Sequence, residues 1–381
     1  MRKIYNVWLV VLFFVVSGLV IAGTINVPAN YPTIQQAINA SVSGDTVLVA
    51  PGTYYENINF RGKNIVVTSW YALNQNTMYI DSTIINGSQP TYPDTASCVL
   101  IVSGENENAV LQGFTLTGGK GTVWKDEHNG LSYREGGGIL TALSSPVIRN
   151  NVIKNNDASN DTGVSSCGGG GIRSGDGNPK ILNNIIMYNR GRYGGGIVLN
   201  YTGAVVKNNV VYRNSGGEDF GGAGIWVNSN GPAPKVAENN TVVENSSVLD
   251  GGGFYVVSTS ITLRNNIVWG NTAPVDPQIT FASALLSVSY CDIQGGWSGT
   301  GNINVNPAFA DTSHYLAQGS PCIDAGDPNA SYYDPEDGTN PGFALHPSRG
   351  ILRNDIGAYG GPGALPAPYV DLHLNDPYPP S

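Results

Sequence analysis

Charge is scarce in this chain: Asp, Glu, Lys and Arg make up 12% of its 381 residues. Helix bundles and coiled coils carry more charge, at a helical period, and neither the charge nor the period is found here. Cysteine is rarer still. Cys98, Cys167, Cys291 and Cys322 stand far apart, form no Cys-x-x-Cys pair and share no zinc-ligand spacing with the four histidines,. That excludes a structural zinc site and leaves two states, a Cys291–Cys322 disulfide in an exported protein or buried free thiols. Basic residues are in deficit, with 19 Lys and Arg against 28 Asp and Glu. Removing Arg2 and Lys3 takes the net charge from 19 − 28 = −9 to 17 − 28 = −11. An acidic surface disfavours nucleic acid and bare anionic lipid as partners. Anionic glycans stay open, because Ca²⁺ can bridge carboxylates on both sides.

What the chain does have is glycine, 50 residues, and proline, 23 residues, the composition of a turn-dense β protein,. The run Val7 to Ile21 carries no charge, follows Arg2 and Lys3, and leads into Val20-Ile-Ala22 as a small-residue cleavage signal. This is the pattern of a cleavable secretory leader over residues 1–22, with a retained anchor as the alternative. Once the leader is cleaved, no membrane insertion is expected.

The dominant signal is an internal repeat. Gly-Gly-Gly-Ile139, Gly-Gly-Gly-Ile172, Gly-Gly-Gly-Ile197, Gly-Ala-Gly-Ile225 and Gly-Gly-Gly-Phe254 superpose, with steps of 33, 25, 28 and 29 residues. Each is followed by an Asn pair: Asn150-Asn151, Asn183-Asn184, Asn208-Asn209, Asn239-Asn240 and Asn265-Asn266. Five residues after each pair comes another Asn, at 156, 189, 214, 245 and 271. Each unit has room for about three short strands and none for a helix pair. Asn tolerates the left-handed backbone conformation, and amides repeated at one corner can stack along an axis. Glycine supplies the φ values of a wider turn. The expectation is an all-β right-handed parallel β-helix of roughly nine rungs over residues 46–305.

Before it, residues 23–45 are expected to cap the open first coil with a short amphipathic helix. Thr33 would cap that helix and Gln36 would reach back to the Thr33 amide. After it, residues 306–363 change character, and residues 364–381 form a Pro-rich tail.

The Gly-Gly-Gly-Ile and Asn-Asn-x-Ile units resemble the right-handed β-helix repeat proteins of the pectin-lyase-like superfamily. That resemblance implies the fold and leaves open activities from polysaccharide lyases and hydrolases to adhesins. The opening Thr33-Ile-Gln-Gln-Ala-Ile38 and Pro51-Gly-Thr-Tyr-Tyr-Glu56 is similar to the N-terminal coil of pectinesterases. The esterase motif Asp-Phe-Ile-Phe-Gly is reduced here to Asp219-Phe220-Gly221, so the cap carries over and the esterase does not. Polygalacturonase elements are missing. Gly222-Ala-Gly-Ile225 resembles the units of autotransporter-like adhesins. Ser320-Pro-Cys-Ile-Asp-Ala-Gly326 and Asp355-Ile-Gly-Ala-Tyr359 resemble the choice-of-anchor Q module of exported β-helix proteins, which implies a secreted or cell-surface destination.

Stacked coils bring the loops before each Gly-rich strand onto one ridge, where a substrate groove lies in lyases of the superfamily. Lyase chemistry on uronic acids needs the carboxylate neutralised, a base and an acid. Arg190 and Arg192 are the candidates to clamp the carboxylate, and Tyr193 and His128 to move protons. Asp157, Asp161, Glu218 and Asp219 are candidates to hold Ca²⁺. The excursion from Gly118 to Glu135 offers Trp124, Lys125, Arg134 and Glu135 as ligand-binding residues. Asp324, Asp327, Asp334 and Asp337 form a second candidate Ca²⁺ group without EF-hand spacing, the alternative being turn caps. Trp124, Tyr193, Trp226, Tyr255, Trp269 and Trp297 are candidates to stack on sugars. The reading favoured is a monomeric exported protein that binds polysaccharide or a cell-surface glycan without catalysis. Its rival is a Ca²⁺-dependent lyase acting on pectate- or alginate-like polymers.

Overall fold

The computed structural model describes residues 22–366, so the leader and most of the Pro-rich tail lie outside the described residues. Among the described residues no helix is long and apolar enough to cross a membrane. The chain winds as a right-handed parallel β-helix whose three faces are stacks of ten, nine and eight short strands. In the eight-stranded stack, Ile139–Ala142, Ile172–Gly175, Ile197–Asn200, Ile225–Asn228, Phe254–Val257 and Ile279–Ala282 lie in register, one strand per coil. Ile139, Ile172, Ile197, Ile225 and Phe254 therefore line up inside a single core.

The Asn pairs divide their labour in a way the spacing alone does not specify. The first Asn of each pair, at 150, 183, 208, 239 and 265, takes the left-handed conformation with φ between 49° and 56°. The second points inward. Its carboxamide nitrogen donates to the side-chain oxygen one coil on: Asn151 to Asn184 at 3.1 Å, then Asn184 to Asn209, Asn209 to Asn240 and Asn240 to Asn266 at 3.0 Å each. Backbone amides donate to the same oxygens, as Asn184 N does to Asn209 Oδ1 at 2.9 Å. A parallel ladder runs through Asn156, Asn189, Asn214, Asn245 and Asn271. At that corner the left-handed residue is Asn155, Tyr188, Arg213, Glu244 or Gly270, so Asn is needed there for its amide and not for its backbone.

The glycine triplets also serve two purposes. Only the first glycine has positive φ, as at Gly136 (66°) and Gly251 (64°). The third is required by contact, since a Cβ on Gly171 would lie 2.5 Å from Gly196 O of the next coil. The middle glycine is as tightly held, since a Cβ on Gly170 would lie 2.3 Å from Arg190 O, and only the Gly222–Gly224 unit carries Ala223 there.

The expected cap is present as helix Ile34–Ala40, which buries Ile34, Ala37 and Ile38. Thr33 Oγ1 accepts from Gln36 N at 3.2 Å. The return contact expected from Gln36 to the Thr33 amide is not formed; Glu56 instead caps the next two amides, its two carboxylate oxygens accepting from Ile34 N and Gln35 N at 2.9 Å each. An acid at a helix N-terminus satisfies free N–H groups and opposes the helix dipole favourably. Strand Thr24–Val27 already pairs with Thr46–Val49, so the first coil begins before the helix.

Residues 307–361 run along the outside of the nine-stranded face. Ile356, Ala358 and Tyr359 pack there on Val210, Tyr212, Val243 and Ile267. Outward-facing Asn208 donates to Ala358 O and Gly360 O, and Asn239 donates to Asp355 O and Gly357 O. Of the two cysteine states left open, the free thiols are the one found. All four cysteines are buried and unpaired, and Cys322 Sγ donates to Asp292 Oδ2 at 3.2 Å. Burial pushes Cys98, Cys167 and Cys291 up to about 12, which leaves them inert as nucleophiles,.

Two consequences can be measured. Asn184→Ala removes a buried amide and strands its partners Ile148 O and Asn209 Oδ1, so urea unfolding should show a loss of about 3 kcal/mol or more,. Asn183→Ala should cost only about 1–2 kcal/mol, the left-handed backbone penalty,. The second concerns the outer strap. Burial, with the Asp355 carboxylate beside it, pushes Asp334 up to about 8, and burial pushes Asp355 up to about 7. The raised folded-state values mean that this stability is fully present below the unfolded carboxylate range and is lost as pH rises through about 7–8. Unfolding free energy should therefore fall between about pH 4 and 8, and Asp334→Asn should flatten that fall,.

Candidate functional site

The outer side of the eight-stranded face carries a cleft of about 740 Å³. Its floor follows from strand alternation. Between the inward Ile and Leu or Val positions, the outward row in register is Leu140, Arg173, Val198, Trp226 and Tyr255. A second outward row includes Asn200, Asn228 and Val257. One wall is the antiparallel hairpin Gly121–Lys125 with Ser132–Glu135, which contributes Asp126, Asn129, Tyr133 and Glu135. The facing wall is built from the loops holding Asp219 and Phe220, Val248 to Asp250, and Pro274 with Val275. Five coils contribute, so the cleft runs about 20 Å along the axis at ~4.8 Å per coil.

Six aromatic rings line it: Tyr133, Tyr193, Tyr201, Phe220, Trp226 and Tyr255. Tyr193 is the hub, 5.5 Å from Phe220 and 5.1 Å from Trp226 between ring centroids. Its hydroxyl donates to Glu135 Oε1 at 2.6 Å, and the other Glu135 oxygen meets Arg173 Nε at 2.9 Å. Burial, reinforced by Glu135, holds the Tyr193 hydroxyl protonated far above the ordinary phenol range. Arg173 is completely buried, so the pair is a desolvated ion pair set under the cleft floor,.

Arg190 and Arg192 reach the ridge, where both are engaged by acids. Arg190 Nη2 lies 2.6 Å from Glu218 Oε1. Arg192 spans Asp161 at 3.1 Å and Asp219 at 2.5 Å. Arg192 and a hydrogen bond from Ser166 hold the Asp219 carboxyl below its usual range. Neither guanidinium lines the cleft, so the expected carboxylate clamp has no free cation there. His128 is likewise occupied, with Nε2 2.7 Å from Asp176 Oδ1 and its ring stacked 3.5 Å from Tyr201. Trp124 and Lys125 share the hairpin but lie outside the cleft lining, and Arg134 turns away to Asp94 at 2.7 Å. Of the four ligand-binding candidates only Glu135 reaches the cleft.

The acids proposed for Ca²⁺ are dispersed. Asp157 accepts from Ser159, and Asp161 and Asp219 share Arg192. In the strap, Asp324 accepts from Ile351 N, Asp327 and Asp337 from amides two residues on, and Asp334 from Gly361 N and Asp355 N. These are turn and strap contacts. Among the described residues no three His, Cys, Asp or Glu side chains converge as metal ligands do.

Arg173, Tyr201, Asn200 and Asn228 were missed from the sequence. Arg173 carried a signal, being the one charge in an outward row that is otherwise apolar or aromatic. Arg173→Met should cost about 3–5 kcal/mol in denaturant unfolding, because Glu135 is left buried without its partner. Adding Glu135→Gln should restore part of that loss.

The sequence model of the family described as the right handed beta helix region matches residues 122–287. The fold is that of the right-handed β-helix proteins. Among solved structures, a pectin methylesterase in complex with hexasaccharide VII is similar over 75% of this chain and 93% of its own, at 10% identity and a TM-score of 0.44. A pectate lyase is similar over 86% and 90%, at 14% identity and a TM-score of 0.43. Similarity at this level assigns no activity. No curated protein matches the sequence.

Proposed function

We propose that this protein binds a glycan chain in the cleft without turning it over. The observation that carries the reading is the lining itself, aromatic rings interleaved with carboxylates and amides along about 20 Å,. Sugars present apolar C–H faces that stack on rings, and a rim of hydroxyl groups that donate hydrogen bonds. The lining is rich in acceptors for such donors, with Asp126, Glu135, Asp219, Asp250, Asn200 and Asn228. Binding without catalysis is supported by the commitment of five titratable groups in and beside the cleft. Tyr193, Glu135, Asp219 and the nearby Arg192 and His128 all have close partners, so proton transfer to a ligand would first have to break those contacts.

The proposed setting is the cell surface or the medium. The composition of residues 1–22 and the resemblance of residues 307–361 to an anchor module support it. Screening on a glycan array should find a bound oligosaccharide, with no shortened or unsaturated product by chromatography. Tyr255→Ala should weaken that binding about tenfold, or about 1.4 kcal/mol. Release of unsaturated uronides from pectate or alginate would contradict the reading, as would binding unaffected by Tyr255→Ala.

A further inference from the structure

The charge balance of the cleft goes further than glycan binding and rests on that reading. Four carboxylates line the cleft, and no Lys, Arg or His does. Two are compensated from behind: Glu135 by Arg173, and Asp219 by Arg192. Asp126 folds into its own hairpin turn and accepts from His128 N and Asn129 N. Asp250 differs from these three. No ion pair reaches its carboxylate, and the closest charge on the adjoining coil is another acid, Asp276, which follows the Asp250–Val275 bridge. Burial and Asp276 together raise the Asp250 carboxyl above its usual value, the sign of an anion without a counter-charge,.

The surroundings of Asp250 suit one kind of counter-charge. Gly221 and Gly222 bring the backbone under Trp226, Tyr255 and Asp250. A Cβ on Gly221 would lie 2.1 Å from Asp250 Oδ1 and 2.9 Å from the Tyr255 ring, and one on Gly222 would lie 2.8 Å from Trp226 Cδ1. A carboxylate therefore sits against aromatic rings, an arrangement that attracts compact ammonium groups by charge and by cation–π contact. Trp226 is buried in the cleft floor, and its indole N–H has no acceptor in the protein. A uronic acid would bring a further negative charge to this place.

We infer that the cleft selects a glycan carrying free amino groups, a polymer of 2-amino-2-deoxy sugars, with one ammonium group held by Asp250 between Tyr255 and Trp226. N-acetylation would remove the charge that Asp250 recognises.

The test compares fully deacetylated glucosamine hexamer, N-acetylglucosamine hexamer, cellohexaose and hexagalacturonate by titration calorimetry at about pH 6, where the sugar amine is protonated. The glucosamine hexamer should bind at least about tenfold more tightly than the others, a preference that shrinks as salt is raised. Asp250→Asn should erase that preference. The inference is overturned if the acetylated hexamer, cellohexaose or hexagalacturonate binds as well as the amine, or if the preference survives in Asp250→Asn. The wild-type comparison decides the matter even where the variant does not fold. Binding of the neutral hexamers without an amine preference overturns this inference alone, whereas no binding by any of the four overturns the glycan reading too.

Discussion

A buried corner in a solenoid leaves backbone N–H and C=O groups that the strands cannot pair, and the stacked asparagine carboxamides satisfy them. Each inward Asn gives hydrogens to the coil before and the coil after and takes two from the coil before, as Asn209 does with Ile181 O, Asn240 and Asn184. Unmade hydrogen bonds in so dry a place cost more than made ones gain. The ladder consequently fixes register: a coil that slipped by one residue would lose its amide contacts and turn its Ile outward. The rungs end where the chemistry changes, with Cys291 accepting from Asn266 N in one row and Gln278 accepting from Asn271 in the other.

Fixed register at the corners allows irregularity elsewhere. The hairpin between Gly121 and Glu135 and the loops ending at Asp219 and Asp250 differ in length and sequence, yet they emerge at one height per coil and face one another. The cleft is thus a product of insertions carried on an invariant frame. Its floor comes from the strand alternation that also fills the core, which is why Trp226 and Tyr255 stack in register above Val198. The outer strap follows the same logic on another face, where the first asparagines of the pairs, pointing outward, become its hydrogen-bond donors.

The frame was legible in the sequence because a ladder demands the same residue at the same place in every coil. The assignment of left-handed backbone to Asn held at one corner and failed at the other, where Tyr188, Arg213 and Glu244 take that conformation. The site was only partly legible. Arg190, Arg192, Asp161, Glu218 and Asp219 meet one another in ion pairs, and those pairings were not foreseen. Arg190 with Glu218 and Arg192 with Asp219 stand one coil apart, 28 and 27 residues, so opposite charges at the repeat distance were the available clue. Tyr201 and the course of the strap obey no repeat, and only the folded arrangement brings them to their neighbours.

Native-state hydrogen exchange tests the ladder most directly. The backbone amides of Asn184, Asn209 and Asn240, each donating to an Asn side-chain oxygen of the next coil, should exchange only on global unfolding, while the 128–130 and 248–250 loops exchange rapidly,. Exchange of those three amides as fast as the loops would contradict the account.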